Sequence, residues 1–120
     1  MVHTFFEAPF FTRRVAELLD DNTNRQLQNE LQENPAKGEV MQGCDGIRKV
    51  RVEAPRRGKG KRGGLRVVYL HIPEAHCIYF ITIYGKDEQD DINEEQKRQL
   101  KAIAEKTKEA LQRRRKKGKE

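Results

Sequence analysis

Six cations crowd the stretch "PRRGKGKRGGLRVVY": Arg56, Arg57, Lys59, Lys61, Arg62 and Arg66, loosened by glycines at 58, 60, 63 and 64. No acidic residue interrupts them between Glu53 and Glu74. A cationic, glycine-rich loop that runs into a β-branched segment is suited to holding something negative. Lys49 and Arg51 on the preceding segment and Arg66 on the following one carry the charge beyond the loop onto a more rigid surface. Tyr69 and Tyr84 can add rings on which exposed bases stack. Together these residues describe the handling of single-stranded RNA. Cutting RNA without a metal needs a base for the 2′-hydroxyl proton, an acid for the 5′ leaving oxygen and cations on the scissile phosphate. A lysine serves as base where crowding by other cations lowers its pKa. The run "KDEQDDINEE" reads as a helix-capping acidic stretch rather than a carboxylate cluster for two-metal chemistry. No metal or other cofactor is therefore expected.

Other chemistries find little support. Gly58, Gly60 and Gly63 satisfy GxGxxG, but a dinucleotide turn must open a helix, and here "LRVVY" follows. A phosphate-binding loop of the Lys-Ser/Thr type fails because Gly64 follows Gly63. A chain of 120 residues is too short for a kinase. There is no serine, which excludes a serine nucleophile. Cys44 and Cys77 form no CxxC, and Cys77 reads as a buried strand residue. His71, His76 and Cys77 in "HIPEAHC" match no zinc-ligand spacing.

The elements that must position the cations follow from periodicity. "VHTFFEA" is a short β-type run. "PFFTRRVAELLDD" is a helix with Pro9 in its first turn and Phe11, Val15, Leu18 and Leu19 on one face. "NTNRQLQNELQENP" is a second helix, capped by Asp21 or Asn22, stopped before Pro35 and buried only through Leu27 and Leu31. The glycine-containing segment from 36 to 46 reads as a loop. "IRKVRVEA" alternates as a strand, "LRVVYLHI" is another, "PEAH" a turn, and "CIYFITIYG" the most apolar strand, suited to the centre of a sheet. Asn93 and Gln96 make a capping box for a last helix with Leu100, Ile103, Thr107 and Leu111 on one face. The order β-α-α-β-β-β-α predicts an α+β fold on a twisted antiparallel sheet.

With 35% hydrophobic and 37% charged residues, the core must be small. The expected organisation is one domain over 1–112 and a basic C-terminal tail over 113–120. Net charge is +6, which favours polyanionic partners. No apolar run is long enough to span a bilayer and no signal peptide is evident, so a cytoplasmic protein is expected.

The string "GIRKVRVEAPRRGKGKRGGLRVVY…IYFITIYGKDEQDDINEEQKRQLKAI" resembles the RelE/HigB superfamily of type II toxins, closest to the HigB-like branch with a "KGKRGG-x-R" loop and a "TIYGK" strand end. "ELQENPAKGEVMQGCDGIRKVRV" fits the same pattern, so the likeness covers nearly the whole chain. It implies a RelE-like (microbial RNase-like) fold and a ribosome-dependent mRNA interferase. The partners implied are the ribosome, mRNA and a cognate antitoxin of helix-turn-helix type.

By that resemblance Arg66 binds phosphate and stabilises the transition state. Lys49 or a loop lysine such as Lys61 acts as base. Arg51 stands where the family has lysine and would hold phosphate. Arg57, Lys59 and Arg62 would engage RNA, and Lys86 would reach the scissile phosphate. Two positions depart from the RelE pattern: Asp87 replaces an arginine after "GK", and Asn93 stands near a late tyrosine, leaving Tyr84 as the nearest aromatic and the general acid unassigned. The rival readings are a non-catalytic RNA- or ribosome-binding module and a ParE-like relative that inhibits gyrase.

Overall fold

The computed structural model describes residues 2–53, 64–86, 88–89 and 91–119, with the backbone alone for 114–119. Strand β1 (Thr4–Glu7) leads into helices α1 (Pro9–Leu18) and α2 (Asp21–Glu33). Strands β2 (Glu39–Val40), β3 (Ile47–Val52), β4 (Leu65–Ile72) and β5 (Cys77–Gly85) follow, with a 3-10 turn at Pro73–Ala75. Helix α3 (Glu94–Lys119) closes the chain. The sheet order is β1-β5-β4-β3-β2.

Two features correct the sequence expectation. β1 pairs parallel with β5, so the sheet is antiparallel except at that edge. A two-residue strand, β2, lies within the segment read as loop and pairs with β3. The direction of β1 depends on the neighbour it meets, and β2 is too short to carry a local pattern; both are edge strands stabilised mainly by that neighbour.

Helix starts follow local chemistry. Pro9 occupies the first turn of α1, where a missing N–H costs nothing. The cap of α2 is Asp20, not Asp21 or Asn22: its carboxylate accepts the Thr23 N–H at 2.7 Å. At α3 the capping box is reciprocal. Gln96 N donates to Asn93 Oδ1 at 2.8 Å, and Asn93 N donates to Gln96 Oε1 at 3.0 Å.

Each face of the sheet has its own core. Phe11, Val15, Leu19, Leu27 and Leu31 of the N-terminal helical layer pack on Val50, Val52, Leu65, Val67, Tyr69, Phe80 and Ile83. Phe80 stacks against both Phe5 and Phe11, with ring centroids 5.4 and 4.9 Å apart. On the opposite face, Leu100 and Ala104 of α3 cover Ile47, Val68, Leu70, Ile72 and Ile81.

A bulge decides which β5 side chains face which core. Tyr69 pairs with Phe80 and Val68 with Thr82, so Ile81 is one residue too many on β5. Strict alternation from Phe80 would put Tyr84 on the α1/α2 face. The extra residue inverts the phase, and Tyr84 joins the α3 face while Ile83 takes the other.

Candidate nucleic-acid interface

The α3 face extends past α3 toward the end of the sheet, and there the cations gather. Ile47, Lys49 and Arg51 alternate onto this face of β3, leaving Val50 and Val52 to the other core. Arg51 pairs with Arg66 on β4, and Arg66 pairs with Tyr84 on β5. The three residues make one row across three strands. The next row is Lys49, Val68 and Thr82. Two arginines thus stand directly opposite each other on adjacent strands, a juxtaposition suited to an anion.

Arg51 is exposed, and Arg66 and Lys49 are half-buried. Lys86 is exposed just beyond Gly85, and its backbone N–H donates to the Gly64 carbonyl at 3.4 Å, so the end of β5 adjoins the start of β4. Arg57, Lys59, Lys61 and Arg62 lie outside the described residues.

The two tyrosines occupy different environments. Tyr69 is fully buried on the opposite face. Its hydroxyl donates to Pro35 O at 2.7 Å and accepts from Gly38 N at 2.9 Å. Its ring has no open side for a base, which corrects the expectation of stacking there. Arg48 shares that face and donates to Gly38 O at 2.8 Å, so the third cation of "IRKVRV" is a structural anchor. Tyr84 lies in the cation row but is only 5% exposed. Its buried hydroxyl has no hydrogen-bond partner among the described residues. Burial pushes its phenol pKa up; the charge of Asp91 adds to the rise and that of Arg66 opposes it. The side chain therefore acts more as a wall beside Arg66 than as an open platform.

Two acidic residues of the 86–92 segment belong to this region, although sequence reasoning treated them as part of a capping stretch. Asp91 Oδ1 accepts from Lys49 Nζ at 3.0 Å and from the Ile92 N–H at 2.8 Å. The Lys49 hydrogen bond, then that of Ile92, hold the Asp91 carboxyl below the usual carboxylate range, against a smaller opposing effect of burial. Arg14 Nη2 on α1 lies 2.6 Å from both Glu88 oxygens, and Glu88 Oε1 also accepts the Gly85 N–H at 2.8 Å. This clamp ties the turn that carries Lys86 to α1. Six carboxylates fall between Asp87 and Glu95, and nothing in their order marks these two.

The histidines of "HIPEAHC" do not gather around the turn. His71 Nε2 instead meets His3 Nε2 at 3.2 Å, while His3 is held by Gln32 through its backbone N–H and carbonyl. Among the described residues no helix is long and apolar enough to cross a membrane.

The architecture and sequence both have known counterparts. A family model described as the RelE toxin of the RelE/RelB toxin-antitoxin system matches residues 10–118. A mutant of the E. coli toxin RelE in the free state superposes with a TM-score of 0.54 at 18% identity, covering 75% of this chain and 90% of that one. The intact E. coli RelBE toxin-antitoxin complex gives 0.51 at 18% identity, covering 70% and 96%. The isolated E. coli RelE toxin gives 0.51 at 18% identity, covering 85% and 99%. At that identity the structures speak to the fold alone, and they match the α+β, RelE-like architecture expected from the sequence. With the family match spanning nearly its whole length, the chain belongs to the RelE toxin family.

Proposed function

We propose that this chain is the toxin of a type II toxin-antitoxin system and works as a metal-free endoribonuclease, cutting mRNA in the ribosomal A site and so stopping translation. The observation that carries this reading is the row Arg51–Arg66–Tyr84, with Lys49 and Lys86 beside it. Attack of the RNA's own 2′-oxygen on phosphorus builds negative charge on a phosphorane. Arginines held on a rigid sheet stabilise that charge without reorganising. The products are a 2′,3′-cyclic phosphate and a 5′-hydroxyl.

The ribosome fits as the second half of the site. The cation face lies at the end of a sheet, so orientation of the scissile nucleotides must come from the particle that holds the message, and orientation is worth much of the barrier. The loop residues Arg57, Lys59, Lys61 and Arg62 add charge for contact with mRNA or ribosomal RNA. The natural partner is a cognate antitoxin, in the same relation as the toxin and antitoxin of the RelBE complex; a helix-turn-helix type is expected. The compartment is the cytoplasm, where message and ribosomes meet.

The test is mRNA cleavage in a purified translation system, with and without ribosomes, for wild type and Arg66→Ala. Ribosome-dependent cuts should appear in wild type and fall by about two to three orders of magnitude in the variant. Ribosome binding without cleavage by a folded wild type makes the face a docking surface. A DNA-damage response in intoxicated cells, with translation intact, points to gyrase instead.

A further inference from the structure

Lys49 Nζ donates to Asp91, which brings a carboxylate to the edge of the cation face. We infer that Asp91 is the catalytic residue that accepts the proton of the attacking 2′-hydroxyl, with Lys49 holding its carboxylate in place. The inference rests on the ribonuclease reading and assigns within it the role of base to a carboxylate.

Asp91 does not serve the start of α3, because Asn93 and Gln96 make that cap between themselves. Its carboxylate is fixed through one oxygen: Oδ1 takes both the Lys49 ammonium and the Ile92 N–H. Oδ2 is then the oxygen left for a substrate proton. The Asp91 side chain is 65% exposed, whereas Lys49 is 23% exposed, so RNA reaches the carboxylate first. The location is right as well, since Lys49, which holds Asp91, stands in the row next to that of Arg51, Arg66 and Tyr84 on the same face. Base and phosphate ligand thus belong to adjacent rows of one face.

An ordinary surface ion pair would be expected to do little. This one differs in joining β3 to the segment before α3, on the face where Arg51 stands opposite Arg66. Its carboxylate also carries a backbone hydrogen bond that fixes its direction. Like any carboxylate, Asp91 is ionised at neutral pH and needs no prior deprotonation; the hydrogen bonds that lower its pKa fix its direction and at the same time make it a weaker base.

The step balances within the RNA. The 2′-O–H bond breaks and its proton passes to Asp91. The 2′-oxygen bonds to phosphorus, and the P–O5′ bond breaks with its electron pair going to the 5′-oxygen. That oxygen takes a proton from water, and Asp91 returns its own to the resulting hydroxide.

Single-turnover cleavage on programmed ribosomes tests the assignment, using full-length wild type, Asp91→Asn, Asp91→Glu and Arg66→Ala, each checked for folding by circular dichroism. Asp91→Asn keeps an acceptor for Ile92 N–H but removes the base, so its rate should fall about 10²- to 10³-fold with ribosome affinity unchanged. Asp91→Glu should recover part of the loss. The wild-type rate should be flat between about pH 6 and 8, whereas a base that must first be deprotonated gives a rate that climbs about tenfold per unit. If wild type and Arg66→Ala differ as proposed while Asp91→Asn cleaves at the wild-type rate, the assignment fails and the ribonuclease reading stands. If a folded, ribosome-bound wild type cuts nothing, both fail.

Discussion

Tyr69 and Tyr84 sit on neighbouring strands and look alike in sequence, yet one closes a loop and the other borders the cations. Tyr69 holds the 35–38 segment through two hydrogen bonds. Tyr69→Phe should strand the Pro35 carbonyl and the Gly38 N–H and cost about 1–3 kcal/mol, measurable by urea denaturation. Cleavage per folded molecule should not change, since the ring lies on the opposite face. Gly64 works at the same scale. Its φ is +53°, and an added Cβ would lie 2.6 Å from the Val52 carbonyl oxygen. Gly64→Ala should destabilise the fold by more than about 1 kcal/mol. It should also lower activity, because the β3–β4 register that sets Arg51 against Arg66 begins there.

Among the elements, β4 and the N-terminal segment are linked by the His71–His3 contact. Burial lowers the His71 pKa below its ordinary 6.5; the charges of His3 and Arg48 add to the fall and Glu74 opposes it. Just below pH 6.5 the unfolded chain therefore binds a proton that the folded chain refuses. The stability from this group is fully present above the unfolded pKa and is lost as pH falls toward the folded value. The thermal midpoint should drop on moving from about pH 7.5 to 5.5, and His71→Gln should make that drop shallower. α3 acts differently. It lies on the sheet through Leu100 and Ala104 and brings its capped N-terminus next to the cation face, which is how Asp91 comes to meet Lys49.

For the whole molecule, the net charge of +6 is less informative than where it sits. Among the described residues, several acidic side chains are paired outside the row: Glu88 with Arg14, Glu30 with Lys37 and Asp45 with Lys108. Binding of a short single-stranded RNA through Arg51, Arg66 and Lys86 should weaken with salt, with a log–log slope of about −2. Arg66→Ala should make the slope shallower by about 0.7, read by fluorescence anisotropy across a salt series. An unchanged slope would place the RNA elsewhere.

By itself the sequence determined the kinds and order of the main elements, the start of α1 at Pro9, the cap of α3 at Asn93, and the set of cations. These are local properties: a 3.6-residue stripe, a two-residue alternation and a capping box are all written within a few neighbouring positions. It could not show the bulge at Ile81, because "CIYFITIYG" is apolar throughout and carries no phase to read; only pairing with β4 shows that Tyr84 lies beside Arg66 and that Tyr69 does not. Nor could it choose Asp91 from six carboxylates, since its partner Lys49 is 42 residues away and the choice depends on how α3 meets β3. The sequence supplied the charges, and the tertiary structure determined which of them share a face, because side chains distant in the chain interact only once the sheet has set its register.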